Sequence, residues 1–211
     1  MKFLFCYDWG MKRKIILIGG MPTVGKTTIA RQLSHRLNLP CISTDQIRLI
    51  MQSVADPNKH PLLFNAAGYS AEEFLEKYSP LEVASMEYAQ SNEVWPGVKH
   101  FIDNDWVWRD GFIIEGVNIL PSFVSEIIKE SRDVQSVFLS DTHHDRIASV
   151  IYNRGLFGDA KTYSDHVKAK EVEWVKIYDA MIRHDAKVFN LPLVEISKDT
   201  SDIERLMRVI T

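Results

Sequence analysis

Apolar positions in this chain come in two rhythms. Short unbroken apolar runs predict buried strands at Lys14 to Gly19, Leu39 to Ser43, Phe112 to Glu115, Val134 to Leu139 and Leu193 to Ile196. Between them, apolar residues recur at helical spacing. Ile29, Leu33 and Leu37 mark a helix from Lys26 to Leu37, and Ile47, Ile50, Met51 and Val54 mark a second. Further helices are expected over Ser70 to Trp108, Pro121 to Lys129, Asp141 to Asn153, Tyr163 to Phe189 and Ser201 to Ile210. In the Tyr163 to Phe189 helix, Val167, Val172, Val175, Ile177 and Met181 are expected to face the core. Pro96 lacks an amide proton, so the Ser70 to Trp108 stretch should be two helices or one bent helix. Asp56 to Ser70, with its two prolines, reads as loop. Strands alternating with helices predict a parallel sheet covered on both faces, because parallel neighbours need long crossovers. The expected fold is a three-layer α/β domain with a mainly parallel five-stranded sheet.

The turn after the first strand carries the chemistry. Gly20-Met21-Pro22-Thr23-Val24-Gly25-Lys26-Thr27 matches G-x4-G-K-[ST] and lies between a strand and a helix, where a phosphate-binding P-loop must lie. Loop and helix-start amides, including that of Thr28, would surround phosphate oxygens. Lys26, expected to face solvent, would reach the β- and γ-phosphates of ATP, and the Thr27 hydroxyl would bind Mg²⁺. Glu115 ends an apolar strand before Gly116, as a Walker B acid does, and would act on Mg²⁺ through water; a structural acid paired to a lysine is the other reading. Asp45, just past the second strand, points toward the same cleft and is the candidate base for an attacking hydroxyl, unless Thr44 or Asp45 serves as a helix cap. Arg48, one turn on, would hold an anionic substrate or lie at the surface, and Asn118 is placed for substrate contact. Arg146 and Arg154, ahead of a glycine-bearing loop at Gly155 to Asp159, look like catalytic lid arginines that would offset charge on the transferred group.

Other features narrow the field. The chain has 211 residues, a length suited to one domain, and a formal net charge of −3, which offers no basic face for nucleic acid. Cys6 and Cys41 are too few for a disulfide framework and fit a reducing cytoplasm. No apolar stretch reaches the roughly 18 residues of a membrane span, so no membrane partner is expected. Met1 to Gly10 reads as a strand extension or a start-site artefact, with Met11 a self-sufficient start. The only Asn-Lys, at Asn58-Lys59, precedes His60-Pro61 and so lacks the Asn-Lys-x-Asp element of guanine-specific GTPases. His143, His144 and Asp145 read as helix-start residues and not as metal ligands, because adjacent helical residues face different ways. Trp95, Trp106, Trp108 and Trp174 read as packing residues, with Trp106 and Trp108 also able to line a pocket.

The runs IILIGGMPTVGKTTIARQL, CISTDQIR and FIIEGVNILP together resemble the P-loop kinases related to 2-phosphoglycerate kinase and, more distantly, zeta toxins and chloramphenicol phosphotransferase. The similarity covers roughly residues 12 to 200. It implies a nucleoside-monophosphate-kinase-like P-loop domain over residues 12–211 behind an extension of residues 1–11. It also implies a substrate-covering segment near 54–80, with Pro61 to Tyr69 over the substrate, and a lid near 146–162. Asp45 would lie beside the acceptor hydroxyl. Asn118 departs from the family pattern, which has His after Glu-Gly-Val. The expected activity is ATP- and Mg²⁺-dependent phosphorylation of a hydroxyl on a small anionic metabolite, with a 2-phosphoglycerate-like acceptor as the resemblance suggests. A regulatory nucleotide binder, and a kinase of nucleosides, antibiotics or nucleic-acid ends, are the alternatives. Nothing in the sequence signals an oligomeric state.

Overall fold

A computed structural model describes residues 13–104, 110–130, 133–156, 162–197, 199 and 201–210. The strands are β1 (Lys14–Gly20), β2 (Cys41–Ser43), β3 (Gly111–Glu115), β4 (Val134–Ser140) and β5 (Leu193–Glu195). The helices are α1 (Lys26–Leu37), α2 (Thr44–Gln52), α3 (Ala71–Lys77), α4 (Pro80–Asp103), α5 (Pro121–Glu130), α6 (His144–Asn153), α7 (Asp165–Val188) and α8 (Ser201–Ile210), with a 3-10 turn at Pro61–Phe64. All five strands pair in parallel in the order β2-β3-β1-β4-β5. This is the P-loop NTPase fold.

Helices on both faces explain the apolar runs: Ile15, Ile16, Leu17 and Ile18 are all buried, with no solvated face to alternate toward. From β1 the chain crosses to β2 on one side, and from β3 it crosses over β1 to β4 on the other. The two connections part above the carboxyl ends of β1 and β3, which opens a crevice there. Ile18 pairs with Glu115 across these strands, so the phosphate loop and the acid after β3 start from one level.

The helical region after Ser70 departs from expectation. It breaks at Tyr78, not at Pro96, and α4 runs through the proline. Ser70 and Ser79 each cap a helix with a reciprocal box, to Glu73 and Glu82, and these caps set the starts of α3 and α4. Pro96 removes one backbone donor, a loss offset by the tertiary burial of Val94, Trp95 and Val98 around it. Gly97 lets α2 approach: a Cβ there would stand 2.7 Å from Ile47 and 2.7 Å from Met51.

Two boundaries and one face also shift. The helix expected from Asp141 begins at His144, because the buried Asp141 carboxylate accepts from the His143 amide and from Arg146. In α7 the buried residues are Val167, Glu171, Val172, Trp174, Val175, Tyr178, Asp179, Ile182 and Ala186, so Val167, Val172 and Val175 face the core as expected while Ile177 and Met181 lie at its margins. Trp95 stacks on Phe123 at 5.0 Å and Trp174 meets Tyr178 edge-on at 6.4 Å, as packing residues do. Trp106 and Trp108, Met1 to Gly10, and part of the lid segment lie outside the described residues. Among the described residues no helix is long and apolar enough to cross a membrane.

Candidate functional site

The loop after β1 is shaped by its glycines. Gly20 has φ of +134°, and a Cβ there would meet the Leu139 carbonyl at 2.2 Å, so β4 packs directly on its backbone. Gly25 has φ of +95° with nothing within 4 Å of a built Cβ, which leaves the space before α1 open. Among the described residues no side chain caps α1, so its first amides are open to an anion. Met21 and Val24 turn their side chains into the core and present backbone to the cleft, while Pro22 and Thr23 line it and Thr28 is exposed.

Lys26 is buried, contrary to the expectation of a solvent-facing lysine. Its Nζ donates to the Met21 carbonyl at 2.7 Å, folded back over the loop. Burial lowers its pKa to about 8, against the opposing pull of Glu115, Asp45 and Glu87. The Thr27 hydroxyl donates to Glu115 Oε1 at 2.9 Å. Burial raises the Glu115 pKa, partly offset by Lys26 and by the Thr27 hydrogen bond. Hydroxyl and carboxylate oxygens adjoining the anion loop are the donor chemistry that a hard divalent cation such as Mg²⁺ requires. Among the described residues no group of three or more His, Cys, Asp and Glu forms a metal cluster.

Asp45 and Arg48 stand across the crevice on α2, and the cap alternative for Asp45 is removed. Ser43 is the N-cap, its hydroxyl accepting from the Gln46 amide while Gln46 Oε1 accepts from the Ser43 amide. Asp45 therefore has no capping duty. Its Oδ1 accepts from Arg48 at 3.1 Å, and Arg48 also donates to Gln90 at 3.3 Å. Gln90 in turn donates to the Leu62 carbonyl and to Asn65, which ties the 3-10 segment to the site. Asn65, Ala66 and Tyr69 form part of the cleft wall.

One cavity of about 650 Å³ joins these groups, lined by Lys26, Thr27, Asp45, Arg48 and Glu115 among others. Three expected residues stand elsewhere. Asn118 is fully buried, its amide donating to Ser91 on α4 at 3.2 Å, and it is absent from the cavity lining. Arg146 spends its guanidinium on Asp141 at 2.6 Å and on the Ile196 and Ser197 carbonyls, clamping the ends of β4 and β5 together. Arg154 is exposed with its Nε toward the Gly155 carbonyl, and of the described residues in that region only Leu156 lines the cavity.

Two cavity residues escaped the sequence reading. Glu87 occupies the core stripe of α4 that Val83, Ser91 and Val94 define, and an acid on an apolar stripe was the available signal. Trp174 lines the cavity from α7, with its indole Nε1 buried and without a hydrogen-bond partner among the described residues.

No family model matches the chain. It is 28% identical over 205 residues to the 2-phosphoglycerate kinase of Methanocaldococcus jannaschii, covering 96% of this chain and 64% of that protein. It is 27% identical over 199 residues to the 2-phosphoglycerate kinase of Pyrococcus horikoshii, covering 93% and 64%. The chain thus spans under two thirds of the length of these curated relatives. A Thermus thermophilus protein shares the fold with a TM-score of 0.51 at 19% identity, over 93% of this chain and 96% of that one. A gluconokinase from Sinorhizobium meliloti does so with a TM-score of 0.50 at 10% identity, over 95% of each chain. The chain has the P-loop NTPase fold and is similar, over most of its own length, to 2-phosphoglycerate kinases.

Proposed function

We propose that this chain is a small-molecule kinase that transfers the γ-phosphoryl group of ATP to a hydroxyl of a small acidic acceptor. The observation that carries this reading is the convergence of Lys26, the Thr27–Glu115 pair and the Asp45–Arg48 pair on a single cavity. The phosphate loop and Lys26 hold the nucleotide. Thr27 would hold Mg²⁺, with Glu115 ordering its water shell, and the ion when bound offsets charge on the β- and γ-phosphoryl oxygens. Asp45 orients the acceptor hydroxyl and takes its proton as that oxygen bonds to phosphorus, while the bond from phosphorus to the β-bridging oxygen breaks and ADP leaves. Arg48 holds the acidic group of the acceptor. Arg154 remains the lid arginine of this reading, Arg146 is structural, and a cytoplasmic setting completes it.

The test is ADP formation from ATP across a panel of hydroxy metabolites. Acceptor-dependent ADP formation should vanish in Lys26→Ala. In Asp45→Asn it should fall by about 10² to 10⁴ while ATP·Mg²⁺ affinity stays within a few-fold. ADP formation that needs no acceptor and ignores Asp45→Asn would make the site a nucleotide switch instead.

A further inference from the structure

The acceptor end of the cavity carries more negative than positive charge. Among the described residues that line it, the cations are Lys26 and Arg48, and the acids are Asp45, Glu87 and Glu115. Lys26 and Glu115 lie with Thr27 at the phosphate loop, the nucleotide's side of the crevice. This leaves Arg48 facing two carboxylates, one of which, Asp45, it already binds at 3.1 Å. Glu87 lies within the electrostatic reach of Arg48, Lys26 and Asp45, and burial raises its pKa. No side chain or amide among the described residues donates a hydrogen bond to its carboxylate.

A polar group enclosed without a partner carries a desolvation cost, and in a cleft wall the partner it lacks is one a ligand can supply. Among the described residues the buried Trp174 Nε1–H has no acceptor, and the half-buried Glu87 carboxylate opens on the cavity without a donor, the two standing on the packed helices α4 and α7. A hydroxyl meets both needs at once, since it donates one hydrogen bond and accepts others. A phosphate monoester has oxygen acceptors only and carries two negative charges, so it satisfies Trp174 and repels Glu87.

Resting on the kinase reading above, we infer that Glu87 selects the acceptor: a singly charged polyhydroxy acid, its carboxylate on Arg48, its reacting hydroxyl beside Asp45 and a second hydroxyl between Glu87 and Trp174, and not a phosphorylated acid. The relatives named for 2-phosphoglycerate would then differ from this chain at that wall. Glu87 is a specificity-determining residue in this arrangement and takes no part in the phosphoryl transfer itself.

Calorimetric titration separates the possibilities. The full chain is first saturated with a non-hydrolysable ATP analogue and Mg²⁺ at pH 8, then titrated with glycerate, erythronate or 2-phosphoglycerate. The wild type should bind at least one of the two hydroxy acids about tenfold or more tightly than 2-phosphoglycerate. Glu87→Gln, which keeps the shape and removes the charge, should reverse that preference or narrow it at least tenfold, with nucleotide affinity unchanged as the control for folding. Tighter wild-type binding of 2-phosphoglycerate, a preference that Glu87→Gln leaves untouched, or failure of both hydroxy acids to bind would overturn the inference. Failure of the kinase reading shows earlier and separately, as no analogue binding, or as analogue binding that survives Lys26→Ala.

Discussion

Replacing Lys26 with methionine should make the fold more stable while abolishing nucleotide turnover. Burial lowers the lysine from 10.5 to about 8, and at about 1.4 kcal/mol per pKa unit its charged form costs the folded chain about 3 kcal/mol at neutral pH. Methionine has a similar reach without the charge. It also forfeits the 2.7 Å hydrogen bond to the Met21 carbonyl, a charged donor contributing about 1.5 kcal/mol or somewhat more. The net gain is about 1 to 2 kcal/mol, or about 3 to 6 °C in Tm for a domain of this size. The pH dependence follows from the direction of the shift. Because the folded value lies below the unfolded one, the unfolded chain binds more protons between pH 8 and 10.5. The lysine's cost is therefore full below pH 8 and fades as pH rises through that window. Thermal melts of wild type and Lys26→Met at pH 7 and at pH 10.5 test both parts: the variant should lead at pH 7, and the gap should close at pH 10.5. A variant less stable at pH 7, or a gap that does not move with pH, would refute the account of Lys26 as a charge held in the fold for function at the expense of stability.

Two further outcomes follow from the same geometry. If Glu115 orders the ion's water shell as proposed, Glu115→Gln should weaken nucleotide binding about 10- to 100-fold in Mg²⁺ and by much less in EDTA; equal losses in both would place Glu115 on the nucleotide or on Lys26 instead. Gly116→Ala should destabilise by about 3 kcal/mol in urea unfolding, since its Cβ would lie 1.8 Å from the Thr44 hydroxyl at a φ of +155°. Thr44→Gly should recover part of that loss, and an unaffected Gly116→Ala would show that α2 can move off β3.

The local features of this protein were legible because local physics sets them. Gly20 and Gly25 mark the loop by positive φ values that side chains resist, and Lys26-Thr27 follow at the spacing of the phosphate-loop pattern. The apolar runs announced five strands buried on both faces. The capping boxes Ser43 to Gln46, Ser70 to Glu73 and Ser79 to Glu82 were equally present in the sequence, and they, not Pro96, divide the helices. What the sequence by itself determined was therefore the element order, the phosphate loop and the acids placed at strand ends, all matters of neighbours along the chain. Only the tertiary structure decided the rest. It buried Lys26, withdrew Asn118 to Ser91, turned Arg146 to the ends of β4 and β5, and brought Glu87 and Trp174 to one cavity from positions far apart in the chain. Each of those placements depends on which helix faces pack together, and that choice comes from the summed burial of the whole core, which no single segment encodes.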